Sequence, residues 1–148
     1  MAEPLVLKPR AGRALENFGN TLTLKATSSQ TGGVYSLIEG VFEPGGFAPL
    51  PHIHLKEEES FYVLEGQFDF RIGGATVRGD PGAFLHVPHG TLHGFVNAGD
   101  SPARLLFVHA PSLEGFFLEL AKLSEAGPSN AEKLATLMRH WGMEVVSS

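Results

Sequence analysis

Residues 46–66 read GFAPLPHIHLKEEESFYVLEG and place two histidines, His52 and His54, one residue apart. Successive side chains of a β-strand point to opposite faces, so these two imidazoles are expected on the same face. Glu59 follows five residues after the second histidine. Two imidazoles and a nearby carboxylate are three candidate ligands for a divalent transition metal. A fourth candidate, His93, lies downstream within GAFLHVPHGTLHGFVN.

The composition limits the class of protein. The chain has 148 residues, the size of one domain, and a chain of that size buries roughly 70% of its unfolded surface. It has no cysteine, which excludes disulfides and thiolate metal sites. The formal charge of −5 and the scattered basic residues disfavour a nucleic-acid partner. No apolar run approaches the ~18 residues of a membrane span and the N-terminus does not resemble a secretory signal, so we expect a cytoplasmic protein without a membrane partner.

Many short runs of β-forming residues alternate with turns rich in glycine and proline. Strands are predicted over residues 22–26, 34–42, 60–65, 68–72, 75–78, 83–87, 92–96 and 105–109. Residues 1–20 are predicted to be irregular, and residues 28–33 to form a turn. Short strands with turns between them are typical of an all-β sandwich or barrel.

The hydrophobic period becomes helical after Pro111. Four apolar residues recur at the spacing of one helix face: Phe116, Phe117, Leu120 and Leu123. With Ser112 as the candidate N-cap, a helix is predicted over about residues 112–125. This stripe is more apolar than a lone surface helix needs. We therefore expect a homodimer in which strands or helices bury apolar surface.

A second helix is predicted from a capping box at residues 129–132, where Ser129 is followed three residues later by Glu132. Gly142 is the expected residue just beyond its end. The chain is thus predicted to be a single domain over residues 1–148. It would have a β-barrel over about 20–110 and C-terminal helices over about 112–125 and 129–141.

Two motifs of fixed spacing carry the candidate ligands. Residues 46–66 fit G-x5-H-x-H-x4-E-x6-G, and residues 82–97 fit G-x5-P-x-G-x2-H-x3-N. All ten fixed positions match, in order, with 15 residues between the motifs. The pair resembles the two signature motifs of the cupin superfamily. The short chain with paired C-terminal helices is similar to single-domain, quercetin-dioxygenase-like cupins.

The resemblance implies a cupin double-stranded β-helix, a jelly-roll barrel with two C-terminal helices and a metal ion inside. The implied metal ligands are His52, His54, Glu59 and His93. Such a set suits Mn, Fe, Co, Ni, Cu or Zn, and the sequence does not choose among them. Glu58 competes with Glu59, because the superfamily tolerates three or four residues before its glutamate. The six residues between Glu59 and Gly66 favour Glu59.

The leading functional hypothesis is a metal-dependent oxidoreductase, a quercetinase-like dioxygenase that uses O2 and an aromatic or enolic small molecule. Six aromatic residues are expected in the core, where some would make the cavity apolar: Phe61, Tyr62, Phe70, Phe84, Phe95 and Phe107. The counterpart of Glu59 in quercetinase-like enzymes both ligates the ion and accepts a substrate proton, which makes Glu59 the implied catalytic residue. One alternative is a metal-dependent isomerase or lyase of a small hydroxy or keto acid. Another is a non-catalytic cupin that binds a metal or small molecule.

Other polar residues have predicted places. Three charged residues are expected in a solvated turn: Lys56, Glu57 and Glu58. His89 lies in a predicted turn and is expected to be exposed, whereas His86 and His109 lie in predicted strands where either could contact the cavity. The amide of Asn97 is expected to bond backbone or turn groups and not the metal.

Overall fold

Two β-sheets and three helices make up the computed structural model, which describes residues 3–146. In chain order the strands are β1 (Arg13–Asn17), β2 (Asn20–Ala26), β3 (Ser36–Phe42), β4 (His52–His54), β5 (Glu58–Glu65), β6 (Phe68–Ile72), β7 (Ala75–Gly79), β8 (Phe84–Val87), β9 (His93–Asn97), β10 (Ala103–Ala110) and β11 (Met143–Val145). The helices are α1 (Ser28–Thr31), α2 (Glu114–Glu125) and α3 (Ala131–His140). None of the described helices is long and apolar enough to cross a membrane.

The strands pair antiparallel in the order β1-β2-β3-β10-β5-β8 in one sheet and β11-β4-β9-β6-β7 in the other. Strand alternation turns one face of each sheet inward, and both faces contribute to one apolar core. Ile38 and Phe61 of the first sheet pack there with Phe68 and Phe70 of the second. This is the predicted all-β double-stranded β-helix with two C-terminal helices. Across residues 3–146 its two sheets remain separate and do not join into one closed barrel.

Two aromatic residues expected in the core lie on the outer face. Tyr62 is 43% exposed and Phe84 is 64% exposed, and they are Cα partners across β5 and β8. Phe61 is buried on the inner face, so the next side chain of the same strand must point outward. The prediction of Tyr62 and Phe84 as core residues was therefore wrong, because it counted aromatic residues without fixing the face.

Residues 13–17 form β1, where the sequence predicted irregular structure. The strand pairs with β2 up to Asn17↔Asn20, and the two-residue turn between them has φ of 50° at Phe18 and 90° at Gly19. Positive φ at both central positions is the pattern of a type I′ hairpin turn. A phenylalanine in the first of these positions is an atypical turn signal, which explains why the hairpin was missed. Residues 28–31, predicted as turn, form the short helix α1.

Both C-terminal helices are confirmed, but their first residues differ from the prediction. The N-cap of α2 is Leu113, not Ser112. The N-cap of α3 is Asn130, whose side chain accepts a hydrogen bond from the Lys133 backbone N–H, so the predicted capping box at Ser129 is wrong. Gly142 follows the C-cap with φ of 79°, as expected for that position.

Three of the four residues in the apolar stripe of α2 pack within their own chain, and the half-buried Leu123 is part of neither apolar cluster. Phe116 and Leu120 pack with Leu134 and Met138 of α3 and with Met143 of β11 in a second apolar cluster. The stripe is thereby used inside the chain and no longer argues for a dimer through these helices. A homodimer stays a prediction.

The C-terminal strand β11, which the sequence analysis did not predict, pairs directly with the strand that carries the two motif histidines. Met143 is the Cα partner of His54, and Val145 that of His52. Two further backbone bonds flank this pairing, from the Leu55 N–H to the Gly142 carbonyl and from the Val146 N–H to the Pro51 carbonyl. Residues 142–146 therefore hold β4 in place.

A chain that ends at Gly142 is expected to be less stable than the full chain. It loses the β11 pairing and the buried Met143 side chain, and emptying such a site costs about 2–5 kcal/mol in the free energy of unfolding. Urea unfolding of the metal-free proteins measures the difference. A chain that ends at Val146 is the matched control and should unfold as the full chain does. Equal stability of both truncations would contradict the role assigned to β11.

Candidate metal centre

The structure brings together the four ligands implied by the motifs. One nitrogen each of His52, His54 and His93 and one oxygen of Glu59 lie within 4.8 Å of one another, and all four side chains are buried. His52 and His93 are Cα partners across β4 and β9. The turn before β9 is tied to the first motif as well, because the Gly90 N–H donates to the His54 carbonyl at 2.9 Å.

Backbone carbonyls orient two of the imidazoles. His52 Nδ1 donates to the Leu50 carbonyl at 2.6 Å, and His93 Nδ1 donates to the Thr91 carbonyl at 2.9 Å. A carbonyl oxygen only accepts, so each Nδ1 carries a hydrogen. The other ring nitrogen, Nε2, faces the cluster in both residues, and outer partners of this kind fix the orientation of metal-binding histidines.

Glu57 takes the corresponding position behind His54. Its Oε1 lies 3.4 Å from His54 Nδ1, and the residue is only 6% exposed. The expected solvated turn is thus wrong for Glu57, although Lys56 is exposed and Glu58 is partly so. Residues 57 and 59 alternate with residue 58, so the two flanking carboxylates point inward together.

Glu59 is held by histidines at both oxygens. Its Oε1 lies 3.1 Å from His54 Nε2 and 2.9 Å from His93 Nε2, whereas its Oε2 lies 2.9 Å from His109 Nε2. Burial would raise the pKa of Glu59, but the charge and hydrogen bond of His109 and the hydrogen bonds of the other two histidines hold that pKa well below its usual value. The sequence left open whether His109 contacts the cavity. In the structure His109 is buried beside the cluster and orients the Glu59 carboxylate.

The protonation states of two histidines differ in the metal-free cluster. Burial, with the neighbouring His93 and His54, lowers the pKa of His52 to about 3. Burial would also lower the pKa of His54, but the carboxylates of Glu57 and Glu59 outweigh it and raise that pKa to about 9. His52 is therefore neutral, the form that ligates metals, and His54 must release a proton when an ion binds.

This donor set fits a divalent transition ion. It offers three imidazole nitrogens and one carboxylate oxygen, convergent and buried, with a hydrogen-bonding or charged group behind each ring. Imidazole with carboxylate suits Fe, Mn, Co, Ni, Cu and Zn, and four protein ligands leave positions free on an ion that takes five or six.

A cavity of about 70 Å³ adjoins the cluster. Much of its wall comes from the C-terminal segment, namely Leu113, Phe116, Leu120, Leu134, Met138 and Met143. Phe95 and Phe107 line it from the sheets, as the prediction of an apolar cavity requires. The two helices and β11 thus form part of the cavity wall and shield the cluster from water.

The remaining polar residues lie apart from the four-ligand cluster. The exposed His86 bonds Ser60, at 2.9 Å between Nδ1 and Oγ, so it does not contact the cavity. The exposed His89 donates from its backbone N–H and Nδ1 to Glu58 Oε2, and these bonds lower the pKa of Glu58. Asn97 Nδ2 donates to the Phe42 and Ser101 carbonyls, which confirms its expected structural part.

Comparison with known proteins agrees with the motifs and the fold. The cupin-domain family matches residues 39–109, a segment that contains the four clustered residues. This match, together with the motifs and the fold, identifies residues 39–109 as a cupin domain. Among solved structures, an RmlC-like cupin from Shewanella frigidimarina superposes with a TM-score of 0.64 at 19% identity, covering 78% of this chain and 96% of that one.

Two proteins whose names state an activity are also similar to this chain. Quercetin 2,3-dioxygenase of Bacillus subtilis is 33% identical over 96 residues, which are 64% of this chain and 28% of that enzyme. The polyketide cyclase RemF of Streptomyces resistomycificus superposes with a TM-score of 0.63 at 25% identity, covering 73% of this chain and 80% of that one. The chain spans 28% to 62% of the length of the curated relatives it matches.

Proposed function

We propose that this cupin is a metal-dependent oxidoreductase, a dioxygenase that acts on an aromatic or enolic small molecule. The observation that carries the proposal is the buried cluster of three histidines and one glutamate at the wall of an apolar cavity. A divalent ion in that cluster would act as a Lewis acid, lowering the pKa of a substrate hydroxyl and orienting the reactants. The similarity to a quercetin 2,3-dioxygenase supports the oxygen chemistry.

The chain's own residues supply proton handling and a dry site. Glu59 is ionised and aims Oε1 at the cluster, so it can accept the proton of a substrate hydroxyl that enters beside it. His109 holds Oε2 and thereby leaves Oε1 for the ligand and base roles. The apolar wall excludes water, and in a site of low dielectric each of these charge interactions is stronger than in water.

A second candidate is an oxygen-independent cyclase, isomerase or lyase that uses the same metal centre. The similarity to the polyketide cyclase RemF favours it, since that protein shares the fold over 80% of its length. The Lewis-acid and base roles above would serve enolisation equally well, because neither needs O2.

Oxygen dependence separates the two candidates. Metal-reconstituted protein is screened against a panel of flavonols and smaller enols in an oxygen electrode, and each hit is repeated under strict anaerobiosis. We expect substrate and O2 to be consumed together and metal-free protein to be inactive. Turnover at the full rate without O2 would overturn the dioxygenase and support the second candidate. Tight binding without turnover would instead indicate a non-catalytic binding cupin.

A further inference from the structure

Asn17 is a buried polar side chain without a partner at the wall of the cavity. The residue is only 2% exposed, and neither Oδ1 nor Nδ2 has a hydrogen-bond partner among the described residues. It lies on the inner face of β1, as does the buried Leu15. Buried amides are nearly always satisfied, so an unsatisfied one that lines a ligand-sized space indicates a group supplied from outside the chain.

Asn20 provides the contrast at the same wall. Its Oδ1 accepts from the Glu43 N–H at 3.0 Å, and its Nδ2 donates to the Phe47 carbonyl at 2.9 Å. Asn20 thus bonds the backbone of the segment that leads to β4, and both polar atoms of its amide have a hydrogen-bond partner. Apart from the metal cluster and His109, these two asparagines are the polar side chains among the cavity-lining residues that the structure describes. Asn17 alone of the pair has its amide free.

The free amide and the metal cluster line the same cavity from strands that are not neighbours. Asn17 is on β1 and Glu59 on β5, and β2, β3 and β10 stand between these strands in the sheet. Apolar side chains such as Leu22, Phe42 and Phe95 line the same cavity. The cavity therefore has two separate polar sites in a largely apolar wall.

We propose that the cavity takes a compact, single-ring or similarly small molecule with an anionic oxygen at the metal end and a hydroxyl, carbonyl or amide group that bonds Asn17. The metal end rests on the proposed function, whereas the Asn17 end rests on the free amide alone. The cavity volume is about 70 Å³, whereas an engineered apolar cavity of about 150 Å³ binds benzene, so even a single ring requires some outward movement of the wall. A three-ring flavonol requires a much larger movement.

The test uses matched ligand pairs on Zn²⁺-loaded protein, in which no redox turnover interferes. Benzoate is compared with para-hydroxybenzoate, and cinnamate with para-hydroxycinnamate, so that two lengths are sampled. Calorimetry should show the hydroxylated member binding about three- to tenfold tighter in at least one pair, the gain expected of one buried hydrogen bond. In Asn17→Leu the gain should disappear, while the Kd of the parent ligand stays within about twofold.

Two further variants make the result specific. Glu16→Gln changes the neighbouring outward side chain of β1 and should retain the hydroxyl preference. Asn17→Ala removes the same amide with less bulk and should lose the preference as the leucine variant does, so the comparison survives if one variant folds poorly. The melting temperature of ligand-free Asn17→Leu should be equal to or above that of the wild type, because an unpaired buried amide has been removed.

The proposal fails if the hydroxyl preference persists without the Asn17 amide, or if neither pair shows a preference in the wild type. It also fails if none of the four probes binds. These outcomes are independent of the oxygen-electrode result, because binding to the zinc form requires no turnover. If no substrate in the screen consumed oxygen but the hydroxyl preference still depended on Asn17, the dioxygenase proposal would be overturned and the proposed ligand class would be retained.

Discussion

Replacing His52, His54 or His93 by alanine is expected to lower the metal affinity of the protein. Loss of a group that hydrogen-bonds a metal ligand lowers metal affinity about 10–100-fold, and loss of the ligand itself should lower it further. Each variant removes one of the four convergent donors found among residues 3–146, and another buried imidazole, His109, already bonds Glu59 Oε2 at 2.9 Å. Elemental analysis of freshly purified protein and competition with a chelator measure the effect. Metal content should fall severalfold in all three variants.

The control for this series is His89→Ala. His89 is exposed and bonds Glu58, outside the cluster, so its removal should leave metal content unchanged. Circular dichroism checks that the variants retain the β-fold. Full metal retention by any of the three cluster variants would remove that residue from the ligand set, and retention by all three would overturn the metal centre.

The clustering of the four residues was predictable because the two motifs of fixed spacing resemble the cupin signatures, and that resemblance implies that the four residues lie together. His52 and His54 share a face through strand alternation. The turn at Gly90 precedes β9, in which His93 is the Cα partner of His52. The many short strands and the change to helical spacing after Pro111 likewise identify the fold class from local signals.

Features that depend on distant pairing were not predictable in the same way. The segment of β11 is too short to show a period, and it becomes a strand only by pairing with β4, about ninety residues earlier. The inward side of Glu57 depends on where β5 begins, within a run of three glutamates that are alike in sequence. Asn17 belongs to a hairpin whose turn has phenylalanine at positive φ.

The apolar stripe of α2 shows a further limit. Its spacing correctly predicts a helix with one buried face, but spacing carries no information about what covers that face. A partner subunit and the chain's own cavity would give the same sequence pattern. In the structure the stripe packs against α3 and β11 and contributes to the wall beside the metal cluster.

Glu59→Gln is expected to lower the turnover rate by about 10²–10⁴, the usual contribution of a general base, while metal content falls much less. The substitution keeps the side-chain size and leaves one oxygen to accept from His109 Nε2, so the geometry beside the cluster is retained. It removes the negative charge and the basic oxygen now within 2.9 Å of His93 Nε2. Steady-state kinetics on the substrate found in the oxygen screen, with metal analysis of the same samples, measure both effects.

Glu58→Gln is the matched control, one residue away on the opposite face of β5. Glu58 is partly exposed and bonds His89 on the surface, so the change should leave both turnover and metal content nearly unaltered. The two variants therefore decide between neighbouring glutamates that the sequence spacing alone leaves in competition. If Glu59→Gln kept full activity and Glu58→Gln lost it, β5 would have to be rearranged so that Glu58 points inward. In the structure, the alternation of side chains at residues 57–59 buries only the carboxylates of Glu57 and Glu59.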